Sequence, residues 1–97
     1  MTKKQNDTNL ADLTPTVNVQ ARNCQVDPEL RAHFEEKLGS LQKLWPKTTD
    51  ADVRVAQERG RFVAEITLAS GSLLMRGEER ADHLRQAFDC AVEKLHP

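Results

Sequence analysis

The side chains able to do chemistry in this chain are few and scattered. His33, His83 and His96 are its three histidines, and none stands in an HxH or HExxH arrangement that would aim two imidazoles at one metal ion. They read as surface histidines. Ser40, Ser70 and Ser72 sit in no GxSxG elbow, so no serine is presented as a nucleophile. Glu35-Glu36 and Glu78-Glu79 are paired acids, but neighbours on a helix diverge by about 100°, and solvated faces explain both pairs. Cys24 and Cys90 lie far apart and outside any CxxC pair, so two reduced thiols are expected instead of a disulfide framework or a thiolate metal cage. Asn23-Cys24-Gln25-Val26 holds no glycine, which argues against an acylphosphatase-like loop of backbone amides around an anion. No catalytic residue, metal site or cofactor follows from these residues.

Cations are the stronger candidates. Arg31 and Lys37 fall on the two edges of an apolar helical stripe, where a long stem can lie on the core while the charge reaches a partner. Lys43 and Lys47 follow near the end of that helix, and Arg54, Arg59 and Arg61 gather around a hairpin. Arg76, Arg80, Arg85 and Lys94 continue to the end of the chain. Such groups can hold nucleic-acid phosphates without any sequence code. Against this stands the ordinary reading: acids interleave with them nearly everywhere, as on any solvated mixed-charge surface. Phe34, Phe62 and Phe88 follow core periodicity and Trp45 is best placed over the end of the core. Recognition of shape and phosphates is therefore favoured over stacking on bases.

These groups must be positioned by one small domain. The chain has 97 residues, with 38% hydrophobic, 30% charged and a formal net charge of -1, so a large internal active site is not expected. The total charge does not advertise nucleic acid, although a local basic patch can dominate a contact. No apolar run approaches a membrane span, and MTKKQNDTNLADLTPT lacks the apolar core of a secretion signal, so a cytoplasmic location is expected. Residues 1–15 are polar and are read as a flexible tail, leaving residues 16–97 as the folded domain.

From Thr16 the sequence alternates, with Val17, Val19 and Ala21 on one side, as in a strand with one wet face. Asp27-Pro28-Glu29 starts a helix: the carboxylate can accept from free backbone N–H groups, and proline costs nothing at the first helical position. Leu30, Phe34, Leu38, Leu41 and Trp45 form its stripe, and Pro46 stops it. After a polar loop over Lys47 to Asp50, strands are predicted from Ala51 to Gln57 and from Phe62 to Leu68, joined at Glu58-Arg59-Gly60-Arg61. Ser70-Gly71 marks a second hairpin into a strand with Leu73 and Met75, whose end is blurred by Gly77 and the charged run after it. Asp82 is the preferred cap of a last helix bearing Leu84, Ala87, Phe88, Ala91 and Leu95. The order is β-α-β-β-β-α. The fold class is α+β, a two-layer sandwich with a four-stranded mixed sheet, both helices on one face and the first two strands parallel.

RNCQVDPELRAHFEEKLGSLQKLW resembles the opening of the ribosome hibernation promoting factor and ribosome-associated inhibitor family. DVRVAQERGRFVAEITL is similar to that family's central hairpin and AFDCAVEKL to its closing helix, so the likeness runs from about Val17 to Leu95. The resemblance implies a sandwich similar to double-stranded-RNA-binding domains. It also implies a non-enzymatic role: a monomer in the messenger and transfer RNA channel of the small ribosomal subunit, contacting ribosomal RNA and proteins and stopping translation under stress or in stationary phase. No membrane, small-molecule substrate or cofactor belongs to that role. Matching positions carry RNA binding over to Arg22, Arg31, Lys37, Lys47 and Lys94, with Lys37 and Lys94 favoured. The chain departs from the family in having Ser40 where a second lysine is common, in ERADHLRQ at the start of the last helix, and in lacking a basic tail. It reads as a short form without the C-terminal dimerisation domain. Ser40 and the missing basic tail lower the expected RNA affinity, and the near-neutral charge with the missing tail motivates an alternative from another class, a protein-interaction module that kept the fold and lost RNA binding.

Overall fold

Asp27 sets the geometry of the first half of the molecule. In the computed structural model, which describes residues 15–97, its Oδ1 accepts from the Leu30 N–H at 2.7 Å. Pro28 follows in the first turn, where no N–H is needed, and helix α1 runs Pro28–Leu44. Strand β1 (Thr16–Arg22) precedes it, and Asn23, at φ 60°, makes the left-handed step out of the strand. Strand β2 spans Thr48–Glu58, β3 Arg61–Ser70 and β4 Leu73–Ala81, and helix α2 covers Leu84–Glu93. The tail expected over residues 1–15 lies outside the described residues except for Pro15, which is buried.

The strands form one sheet in the order β1-β2-β3-β4, with β1 parallel to β2 and the other pairs antiparallel. The β2–β3 hairpin closes on Arg59 and Gly60, both at positive φ, a two-residue turn whose twist matches that of its strands. Alternation then divides the sheet. Ala51, Val53, Val55, Ala64, Ile66 and Leu68 are buried under the helices, and their neighbours Asp52, Arg54, Glu65 and Thr67 lie on the opposite, open face.

Contacts between the helices and just past their ends hold them to each other. Phe34 of α1 stacks on Phe88 of α2 with ring centroids 4.0 Å apart. Such a pair is worth about 0.5–1.5 kcal/mol beyond the area it buries. His33 Nε2 lies 2.7 Å from Asp89 Oδ1, with the imidazole only 10% exposed. This corrects the expectation of surface histidines: His33 is an interhelical partner, while His83 and His96 are exposed. Trp45 Nε1 donates to the Leu95 carbonyl at 2.7 Å, so the indole is half-buried over the end of the core.

The second half differs from the sequence expectation at two places. β4 does not fade at Gly77 but continues through Glu78, Glu79 and Arg80 to Ala81. Gly77 is where α2 crosses β4: a Cβ there would lie 2.7 Å from the Ala91 carbonyl oxygen and 3.2 Å from Leu95. The glycine is thus a packing device, and the charged residues after it obey strand alternation. Helix α2 is capped by His83 instead of Asp82, without a side-chain cap bond, and the exposed Asp82 carboxylate lies 3.5 Å from Arg61. β2 also begins earlier than the alternation predicts, at Thr48, whose hydroxyl donates to the Trp45 carbonyl at 2.7 Å.

Gly77→Ala should therefore destabilise the fold by about 1–3 kcal/mol, the usual cost of overpacking. Gly39→Ala meets nothing within 4 Å on α1 and should stabilise by about 0.5–1 kcal/mol through helix propensity. Urea denaturation midpoints of the two variants, moving in opposite directions from the parent, check both.

Candidate nucleic-acid interface

The structure distributes the five family-matched cations over different parts of the domain. Arg22, at the end of β1, sits on the open sheet face with its Nη2 3.4 Å from Glu58 Oε2. Arg31 is turned toward the sheet edge: its Nη2 donates to the Val17 carbonyl at 3.1 Å and its Nε lies 3.2 Å from Glu35. That carbonyl belongs to edge strand β1, so Arg31 fastens α1 to the strand and shields a backbone acceptor. Lys94, next after α2, places Nζ 2.9 Å from Glu79 Oε2 on β4. Lys37 on α1 and Lys47 in the α1–β2 link are exposed and have no carboxylate within 4.0 Å among the described residues. The Lys47 stem lies beside Gly71 at the β3–β4 turn.

The Lys94 ammonium acts on its partner by hydrogen bond and by charge, and both hold the Glu79 carboxyl below its ordinary value. Glu79 is on the helix side of β4, beside the position where Gly77 admits α2, so the pair sits at the seam between sheet and helix.

A second group of cations converges where only a hairpin was marked in the sequence. Register brings Arg22 of β1, Ala56 of β2, Val63 of β3 and Arg80 of β4 into one row across the open face. Arg54 stands in the next row, Arg61 at the start of β3, and Arg59 in the turn. Glu58 and Asp82 are the carboxylates paired with this group. Glu65 and Glu78 share the row of Arg54, and farther along the same face Asp50 and Asp52 accompany Arg76, whose Nη1 lies 3.7 Å from Glu65. The hairpin end of the open face is thus arginine-rich, while the acids begin in the row of Arg54 and continue beyond it, a grading invisible in a net charge of -1. Strand alternation combined with the hairpin register was the signal that could have found it.

Among the described residues no group of His, Cys, Asp and Glu could hold a metal ion, and no helix is long and apolar enough to cross a membrane. Cys24 and Cys90 are free thiols.

The element order and sheet topology define a β-α-β-β-β-α two-layer domain, with both helices on one face and a polar sheet face left open. Residues 17–97 match the family described as sigma 54 modulation protein / S30EA ribosomal protein, and the chain belongs to that family. It is 31% identical over 81 residues to the ribosome hibernation promotion factor of Bacillus subtilis (strain 168), covering 80% of this chain and 43% of that protein. The Lactococcus lactis subsp. cremoris (strain MG1363) factor of the same name is 28% identical over 82 residues, covering 80% of this chain and 44% of the relative. The chain thus spans less than half the length of these curated relatives. Among solved structures, the Thermus thermophilus Protein Y N-terminal domain superposes with TM-score 0.73 at 26% identity, covering 84% of this chain and 90% of that one. A ribosomal subunit interface protein from Coxiella burnetii superposes with TM-score 0.72 at 12% identity, covering 82% and 88%, a likeness of fold alone.

Because the Glu79 carboxyl is depressed in the folded protein, its pairing contributes fully above the unfolded carboxylate range and is lost as pH falls through the folded value. Glu79→Gln should lower stability near neutral pH, and the gap to the parent should close in acid. Denaturation midpoints at about pH 7 and about pH 3, either side of the usual carboxylate range, measure it. A gap that persists in acid would assign the loss to packing.

Proposed function

We propose that this domain is a ribosome-associated translation inhibitor, a hibernation factor that occupies the messenger and transfer RNA channel of the small subunit in stressed or stationary-phase cells. Family membership over residues 17–97 is the observation that carries this reading, and the name of the curated relatives supports it. The mechanism is steric exclusion assisted by electrostatics. A rigid two-layer body fills space that two RNA ligands would otherwise use, while cations meet ribosomal RNA phosphates and release counterions. In this reading the protein acts in the cytoplasm as a monomer, catalyses no reaction and needs no cofactor.

Lys37 and Lys47 fit direct phosphate contacts, since no carboxylate neutralises either among the described residues. Lys94 and Arg22 would have to exchange a carboxylate for a phosphate, whereas Arg31 acts mainly by holding β1 to α1. The pairing of Arg22, Arg31 and Lys94 favours a second reading, a protein-interaction module with the same fold that has lost RNA binding.

Co-sedimentation with purified small subunits separates the two. The domain should travel with the subunits at low salt and leave them as salt rises; no association at low salt would falsify the ribosomal reading. A partner retained from lysate after nuclease treatment would instead support the interaction module. The double variant Lys37→Glu, Lys47→Glu should weaken subunit binding by about tenfold or more and flatten its salt dependence. An unchanged profile would remove both lysines from the contact.

A further inference from the structure

The two edges of the sheet are treated differently. At β1 the Arg31 guanidinium donates to the Val17 carbonyl and covers an outward backbone acceptor. β4 pairs with β3 from Leu73 to Ala81 without a bulge, and among the described residues no strand lies on its other side. It also carries Leu73 and Leu74, large apolar residues left 56% and 76% exposed. We propose that β4 is a docking edge for a second copy of this chain, which pairs with it antiparallel about a two-fold axis through Gly77. The pairing belongs to the free domain and goes beyond the ribosomal reading, in which one copy acts on the subunit.

Ser70 and Leu73 close the β3–β4 hairpin around the two-residue turn Gly71-Ser72. In such a hairpin the closing pair exchanges both backbone bonds, and bonded and non-bonded pairs alternate from there. The N–H and C=O groups of Leu74, Arg76, Glu78 and Arg80 therefore point away from β3. Their side chains lie on the open face, since Met75, Gly77 and Glu79 between them face the core or the end of α2. An axis through Gly77 sets Arg76 opposite Glu78 of the second copy, and Leu74 opposite its Arg80. Each outward backbone group then meets a partner along the whole strand.

Charge selects this register. Charged side chains on an edge usually keep copies apart, but here their order does the reverse. Arg76 meets Glu78 twice, once on each side of the axis. Moving the axis to Arg76 or to Glu78, the nearest shifts that still match the outward groups, sets like charge directly against like charge. Both residues are available: Glu78 has no cation within 4.0 Å among the described residues, and Arg76 is 67% exposed with its Glu65 contact at 3.7 Å. Leu74 gains the apolar stem of the opposite Arg80, and Leu73 falls opposite Ala81. On the helix side Lys94 is folded inward onto Glu79 at 2.9 Å, so Met75 meets a compensated carboxylate.

Sedimentation equilibrium of the full chain over a concentration series should show reversible dimerisation. Glu78→Arg sets two arginines against each other at each pair and Arg76→Glu sets two glutamates, so either variant should associate about tenfold or more weakly, because symmetry repeats the reversed pair. An equimolar mixture of the two variants restores both opposite-charge pairs and should associate as the parent does. Amide hydrogen exchange of the parent locates the contact: the Leu74, Arg76, Glu78 and Arg80 amides should slow as concentration rises. Thermal melts confirm that each variant remains folded.

A parent chain still monomeric at millimolar concentration overturns the proposal, and so does a mixture that associates no better than either variant alone. A dimer whose outward β4 amides exchange as fast as in the monomer also overturns it, and assigns the association to another surface.

Discussion

The stack of Phe34 on Phe88 is the contact around which the molecule is organised. A sheet of four strands has one apolar face to cover, and two helices can cover it only if they meet above its middle. The stacked rings fill that meeting place, and His33–Asp89 and Trp45–Leu95 keep the helices aligned on either side. Gly77 completes the arrangement by letting α2 settle against β4 backbone to backbone. Because all helical cover is committed to one side, the opposite face of the sheet stays open to solvent, and every second residue of each strand is displayed there.

That open face explains how a nearly neutral protein can still present a directed field. Total charge counts side chains without regard to position, whereas a polyanion responds to charge within roughly a Debye length, about 8–10 Å at moderate salt. The hairpin folds Arg59 and Arg61 back toward Arg22 and Arg80, while Arg54 shares its row with Glu65 and Glu78, and Asp50 and Asp52 fall toward the other end. Several of these arginines are paired, yet exposed pairs of this kind are weak and exchangeable. Pairing therefore distinguishes a cation held in reserve from one that is free, and does not disqualify it from meeting phosphate. Arg31 is the contrasting case. Its guanidinium is anchored by a strand carbonyl as well as Glu35, which gives it a structural task on the edge of the sheet.

Much of the fold was legible in the residues. The Asp27-Pro28 start, the stripe through Phe34, Leu38 and Leu41, the Arg59-Gly60 hairpin and the alternation around Ala64, Ile66 and Leu68 are local signals, and the structure realises each of them. The misread places share one cause. Gly77 looked like a strand terminator, Asp82 like a cap and His33 like a surface group, because their partners Ala91, Arg61 and Asp89 are distant in sequence. The candidate site was less legible for the same reason. Matching a family motif identified individual cations, but whether Lys94 faces solvent or Glu79 depends on where α2 crosses β4.

The order of elements and the apolar face of each can be read along the chain, since periodicity, capping and turn residues act over a few neighbouring positions. Which charges stand together was settled by folding alone. Strand register and helix crossing bring residues separated by tens of positions within a few ångströms, and at that range Coulomb energy selects partners that proximity along the chain cannot reveal.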